Sequence, residues 1–202
     1  MKTKNRILQT ALELFNEKGI NEVTLRGIAL NVGMSQGNLN YHFRTKSEIV
    51  SELYYNLVEE MDEAMKKITL DQPVFSLLYE SSLVSMNILY KYKFIAQDLH
   101  SVLESNSELK VHYLALQKMR KQQFLFLFQN MIAEDLMRKE ELKNEYERLY
   151  ERMNILGDNW INSANLFFQE RSSKVAHYHS LLFEVIFPYL TQKGKEQYLK
   201  SL

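Results

Sequence analysis

The sequence predicts an all-α protein of about nine helices, and three observations carry that prediction. Punctuation is scarce, with only 2 prolines and 6 glycines in 202 residues, while the helix formers Leu, Met, Glu, Lys and Gln are frequent. Apolar residues recur at three- and four-residue spacing in one segment after another. Helix-capping residues stand where those periodic segments begin, most clearly in Thr45-Lys-Ser-Glu48, which spells a capping box. A hydrophobic fraction of 46% is enough to bury a sizeable core.

The first helix is marked by Ile7, Leu8, Ala11, Leu14 and Phe15 and stops at Gly19. Thr24 caps a short second helix holding Leu25, Ile28, Ala29 and Val32. Gly33 and Met34 form a turn, and Ser35 caps a third, very short helix running to about His42. In the capping box, the Thr45 hydroxyl should bond the Glu48 amide while the Glu48 carboxylate reaches back to the Thr45 amide. A fourth helix follows through Ile49, Leu53, Leu57 and Met61 towards Lys67, and Asp71-Gln-Pro73 is the clearest break in the chain. Beyond it, helical segments are expected over 73–91, around 94–104, from about 108 to 137, from about 140 to 169, and from 174 to 190. Phe124-Leu-Phe-Leu-Phe128 is apolar on every side and, between helical flanks, predicts a fully buried helix. The division follows: residues 1–50 as a head of short helices, 51–67 as a connecting helix, and 68–202 as a larger helical body.

Composition excludes several classes of function. The absence of cysteine rules out disulfide scaffolds, thiolate metal sites and thiol nucleophiles. No GxSxG elbow, phosphate-cradling glycine loop or HExxH pair is present, so an enzyme is not expected. Lys2, Lys4 and Arg6 are not followed by an unbroken apolar stretch, and no run approaches membrane-spanning length. The expectation is a cytoplasmic protein without a membrane or cofactor. Net charge is zero, but residues 1–50 hold seven Lys/Arg against four Glu, leaving +3 there and −3 in the remainder. A basic head on an acidic body suits a protein that presents one end to nucleic acid.

Ala29, Gly33 and Leu39 have the spacing of a helix-turn-helix. Two helices that cross closely need a small residue at the crossing, the turn needs a residue tolerant of positive φ, and the second helix needs an apolar anchor. The rest of that second helix is polar, as a helix facing base edges and phosphates must be. More widely, residues 6–53 resemble the DNA-binding domain of the TetR family of bacterial transcriptional regulators. The resemblance rests on Arg6-Ile7-Leu8, Ala11, Leu14-Phe15, Gly19, Thr24, Ile28-Ala29, Val32-Gly33-Met34-Ser35, Gly37, Leu39, His42-Phe43 and Lys46. It implies a three-helix helix-turn-helix head on a larger helical domain that binds a small ligand and dimerises.

Nine residues are candidates for DNA contact. By resemblance, Arg26 falls where a guanine-reading arginine is found; its fork fits the O6 and N7 acceptors, and a contact to phosphate alone is the alternative. Gln36 and Asn38 lie on the exposed side of the recognition helix with amides that match adenine, although Asn38 could instead bond its local backbone. Gly37 removes a side chain where the helix approaches the groove. Tyr41 can lie on a thymine methyl or reach a phosphate. His42 and Lys46 occupy positions that the resemblance assigns to phosphate, and Thr24 can offer its hydroxyl and amide to another. Asn40 is the departure, since many relatives carry tyrosine there.

For the body, Met86, Tyr90, Phe94, His100, Tyr113, Phe124, Phe128 and Trp160 are candidates for lining an apolar ligand pocket, with ordinary core as the competing role for each. The segment Leu181–Leu190 is apolar nearly all round, which calls for cover on two sides. With Leu156, Trp160, Ala164 and Phe167 it would build an intermolecular four-helix bundle of a homodimer. Asp98, His100 and Glu104, or His177 and His179, are the only metal-like groupings, and alternate histidines point to different faces of a helix, so no metal is expected. The expected function is a dimeric repressor of a near-palindromic operator in double-stranded DNA, released by an unidentified small apolar or aromatic effector. The competing expectation is a DNA-binding activator or DNA-organising factor controlled by a protein partner. A closed apolar cavity would favour the first, and a packed core with an exposed patch the second.

Overall fold

A computed structural model describes residues 3–69, 71–167 and 174–202. Among them are eleven α-helices, nine of seven residues or more, and no strand beyond an isolated bridge between Met137 and Leu190. The all-α architecture is thus as expected. The chain forms two compact units, Met1–Glu63 with Ile88–Lys110, and Ala64–Asn87 with Val111–Leu202.

The N-terminal unit is built on α1 (Thr3–Lys18), α2 (Leu25–Val32), α3 (Gln36–His42) and most of α4 (Lys46–Lys66). Helix α1 buries Ile7, Leu8, Ala11, Leu12, Leu14 and Phe15 on one face. It ends at Gly19, whose φ of 80° lies in the left-handed region that costs glycine nothing. Ile28, Ala29 and Val32 of α2, Leu39 of α3 and Ile49, Val50 and Leu53 of α4 complete this core. Residues 88–110 join the same unit through the end of α5 (Val74–Lys91), α6 (Lys93–Gln97), α7 (Leu99–Glu104) and the start of α8 (Ser107–Ala133). Phe94 packs on Phe15 with ring centroids 5.1 Å apart. The Asn16 amide clamps the α5–α6 junction, donating to the Lys91 carbonyl at 2.8 Å and accepting from the Phe94 amide at 3.1 Å.

The second unit holds the rest of α5 and α8, then α9 (Glu145–Phe167), α10 (Lys174–Glu184), a 3-10 turn (Phe187–Tyr189) and α11 (Gln192–Lys200). Phe75, Phe128, Met131, Leu136, Met137, Tyr146, Leu149, Phe183, Ile186, Leu190 and Tyr198 form its core. The Arg138 guanidinium grips Glu145 through two 2.8 Å bonds at the N-terminus of α9. Those bonds, with the Glu141 amide, hold the carboxyl down at about 2.

Three expectations are corrected. The last predicted helix does not run to Leu190: it stops at Glu184, and Pro188 sits in the 3-10 turn that follows. A further helix, α11, then folds back, and Tyr198 covers Phe183 and Phe187 with centroids at 4.7 and 5.1 Å. Much of the apolar surface assigned to a partner is therefore covered by the chain itself. The segment Phe124–Phe128 is helical but not fully buried, because Phe126 is 64% exposed. Finally, the Glu48 carboxylate reaches back to the Arg44 amide at 2.8 Å rather than to that of Thr45.

Candidate nucleic-acid interface

Three local devices hold α3 in place. Thr24 Oγ1 accepts the Gly27 amide at 3.1 Å and so starts α2. At the other end, Gly33 adopts φ 79°, and the Gly33 and Met34 amides donate to the Leu30 and Ala29 carbonyls at 3.1 and 3.0 Å. That pair is the Schellman closure of a helix, and it turns the chain sharply into α3. Ser35 Oγ then accepts the Asn38 amide at 3.2 Å. Leu39, 0% exposed, is the anchor of α3 in the core.

What remains of α3 faces outward. Gln36, Gly37, Asn38, Asn40 and Tyr41 are exposed, Tyr41 to 88%, and His42 is half-buried beside it with ring centroids 5.4 Å apart. No hydrogen bond among the described residues engages the side chains of Gln36, Asn38 or Asn40, so the local backbone bonding open to Asn38 is not made. Arg26 is exposed on α2. A Cβ built on Gly37 would meet only Ser35 Oγ, at 3.9 Å. The chain itself therefore imposes no need for glycine at that position. Thr24 uses its hydroxyl oxygen as the acceptor of its own cap and keeps the O–H as a donor.

Lys46 is placed differently from the other candidates. Its ammonium donates to the Ile20 carbonyl at 2.5 Å and the Val23 carbonyl at 3.0 Å, tying the start of α4 to the α1–α2 loop. One N–H is left over for an anion. Arg6 does a similar service for α2, donating to the Val32 carbonyl at 2.9 Å. Asn106 caps α8 through the Glu108 and Leu109 amides while its amide donates to Ser51 on α4. Sequence reading passed over Asn106, although asparagine just before a helix is an N-cap signal.

The ligand candidates are dispersed. Phe94 belongs to the core of the N-terminal unit, where Tyr90 is half-buried and His100 exposed. In the second unit Met86 is buried, and Phe124 and Phe128 join Tyr150 and Tyr146 in an aromatic row along α8 and α9. The Tyr113 hydroxyl donates to Asp158 at 3.3 Å. Trp160 is buried and packs on Tyr178 with centroids 5.8 Å apart. It also floors an open groove of about 320 Å³ on α9, lined by Arg152, Ile155, Leu156, Asn159 and Ser163. Of the histidine pair, His177 is exposed, whereas His179 is buried with Nε2 2.8 Å from Ser82 Oγ. Burial lowers the pKa of His179.

Two family models match this chain. Residues 7–53 match the N-terminal model described as bacterial regulatory proteins of the tetR family, and residues 56–198 match the TetR model described as a bacterial transcriptional repressor. An HTH-type transcriptional regulator of Staphylococcus aureus strain USA300 is 26% identical over 113 residues, 55% of this chain and 60% of that one. The matched region thus spans about three fifths of the length of that curated relative. Among solved structures, a TetR-family transcriptional regulator from Marinobacter aquaeolei VT8 superposes with a TM-score of 0.86 at 24% identity, covering 99% of this chain and 97% of that one. The ketosteroid transcriptional regulator KstR2 of Mycobacterium tuberculosis gives 0.75 at 17% identity over 95% and 96%. At these identities the superpositions establish the fold, and the family models, which take in the head and most of the body, establish the kinship: the chain belongs to the TetR family of bacterial transcriptional regulators.

Proposed function

We propose that the protein is a sequence-specific DNA-binding repressor, acting in the cytoplasm as a homodimer and released from a near-palindromic operator by a small molecule. The observation that carries the DNA-binding reading is the presentation of α3. One residue, Leu39, is sunk in the core, while a polar row and an 88% exposed tyrosine stand free of the protein's own hydrogen bonds. Unspent amides on a rigidly capped helix are the chemistry of base reading in the major groove. Thr24, Arg26, His42 and the spare N–H of Lys46 supply phosphate positions around it.

Dimerisation is supported by the outer face of α9, where Ile155, Leu166 and Phe167 are 65%, 77% and 79% exposed. Surface of that kind along one helix suits an isologous contact. A mobility-shift assay at fixed salt on the DNA upstream of the protein's own gene tests the reading. Retarded complexes that resist competition by random DNA are expected, and binding no tighter than to random DNA would overturn it.

One observation favours control by a protein partner instead of a ligand. The α8 helix carries exposed Val111, Leu114, Met119 and Phe126. An exposed apolar stripe of this kind is where a protein partner docks. Release of the operator complex by small-molecule extract of the host, freed of protein, separates the two readings.

A further inference from the structure

The seam between α8 and α9 changes character along its length. Towards the end of α8 it is aromatic, with Phe124 5.5 Å from Tyr150 and Phe128 5.7 Å from Tyr146, centroid to centroid. Two to three turns earlier on the same face of α8 it is polar, and the hydrogen bonds at Asp158 and Gln117 are slack. Tyr113 and Asn154 both donate to Asp158 Oδ2 at 3.3 Å, and the Tyr150 hydroxyl lies 3.5 Å from the Gln117 carbonyl and 3.4 Å from its Oε1. Hydroxyl donors normally close to about 2.7–2.8 Å. The same unit achieves that elsewhere, with the Thr191 hydroxyl 2.7 Å from the Asp135 carbonyl and the Ser82 hydroxyl 2.8 Å from His179 Nε2.

The seam is also short of donors in contact with its acid. Asp158 is half-buried, and among the described residues no lysine or arginine pairs with it. Arg120, half-buried on α8, acts on it only at longer range. Two stretched bonds from neutral groups are poor compensation for a carboxylate withdrawn from water. Among the described residues no hydrogen bond reaches Asp158 Oδ1, and Gln117 Oε1 is barely engaged, by Tyr150 at 3.4 Å. An ammonium group offers three donors and a positive charge in direct contact with the carboxylate, which Arg120 does not make. A divalent metal would need several more oxygen ligands than one carboxylate, a phenol and two amides provide.

We propose that this seam binds an organic cation, a primary amine with an aromatic or aliphatic tail, whose ammonium pairs with Asp158 while its tail lies along Tyr150 and Phe124. The aromatic row gives the tail apolar area and ring faces, and the acid fixes its orientation. Such a site names the chemistry of the effector in the ligand-released reading above and rests on that reading for its regulatory consequence.

The test titrates 4-phenylbutylamine and its neutral counterpart 4-phenylbutanol into the full chain by calorimetry. The fluorescence of Trp160, the single tryptophan, two residues beyond Asp158, is followed in parallel. Saturable amine binding is expected, roughly ten-fold or more tighter than the alcohol, with the preference lost in Asp158→Asn. Asp158→Glu keeps a carboxylate at the seam and should retain the amine preference, and a folded Asp158→Glu that binds amine and alcohol alike overturns the site, which covers the case in which Asp158→Asn fails to fold. Equal binding of the two probes, no saturable amine binding, or an undiminished preference in folded Asp158→Asn overturns the site. A mobility shift on the promoter DNA with the same amine distinguishes the two levels. Amine that binds but never releases DNA overturns the effector role and leaves the site standing. DNA binding that persists in a protein that ignores the amine overturns the site and leaves the regulator standing.

Discussion

Gly37 and Leu39 lie two residues apart on α3 and answer to different constraints. Leu39 is fully buried, so Leu39→Ala should cost about 2–5 kcal/mol of stability and lose DNA binding through unfolding of the head. Gly37 has open space around its Cβ position, and a helical alanine there gains roughly 0.5–1 kcal/mol over glycine. Gly37→Ala should therefore melt no lower than the wild type yet bind operator DNA more weakly, because the added methyl meets only the groove. Undiminished affinity in that variant would show that α3 does not approach DNA at Gly37. His179 offers a test of a different kind. Its folded pKa is lowered by burial, so the unfolded chain takes up a proton first as pH falls. Stability should be intact above about 6.5, the ordinary histidine value, and decline as pH drops below it. Thermal midpoints measured from pH 8 to 5 should fall in the wild type and flatten in His179→Gln. Of the residues that sequence alone identified correctly in structural terms, Thr24, Gly33 and Ser35 act on near neighbours in the chain, and Leu39 stands out as the apolar residue of a polar helix. The resemblance assigns Lys46 to phosphate, and nothing in the sequence marks its carbonyl partners, Ile20 and Val23, which are distant in the chain and offer only backbone.

At the scale of elements, the first four helices follow from periodicity and caps, and the differences lie where the chain folds back on itself. The apolar run Leu181–Leu190 reads as a helix in need of two partners. Its second cover is α11, a lysine- and glutamine-rich segment with only Tyr198 and Leu199 to mark it as structural. Tyr198 reaches 2% exposure, and burial raises its hydroxyl to about 12. What lets α11 dock so closely is Gly194. A Cβ there would fall 1.9 Å from the Leu136 carbonyl oxygen, a backbone atom that cannot rotate away. Thr191 fixes the same junction, its amide donating to that carbonyl at 3.1 Å and its hydroxyl to the Asp135 carbonyl at 2.7 Å. Gly194→Ala should accordingly lift α11 from Phe183 and Phe187 at a cost of about 1–3 kcal/mol or more. In a chain of this size that lowers the thermal midpoint by about 2–4 °C for each kcal/mol. An unchanged midpoint by circular dichroism would mean that α11 is not docked as described. No pattern of hydrophobicity reveals such a contact, since it depends on the space a glycine leaves and not on what it contributes.

At the scale of the whole molecule, the proposed function requires two copies. A single seven-residue recognition helix touches few base pairs, and phosphate contacts add affinity without choice. Two such helices about one helical turn apart, roughly 34 Å, read a near-palindrome and multiply the discrimination. The chain offers a surface for that pairing in the groove of α9, with Arg152 and Asn159 at its rim and Ile155 and Leu156 along its wall. Ile155 is 65% exposed, so replacing it removes little from the core of one chain, whereas a charge there would be buried at a two-fold contact, facing its own copy. Ile155→Glu should keep the helical spectrum and thermal midpoint of the wild type and sediment as a monomer where the wild type sediments as a dimer. Its operator affinity should drop by orders of magnitude while weak binding to random DNA persists. The salt dependence should also become shallower, because half as many phosphates are neutralised by each bound particle. A variant that remains dimeric would move the interface away from this face of α9. A monomer that still binds the operator as tightly as the wild type would detach recognition from dimerisation altogether.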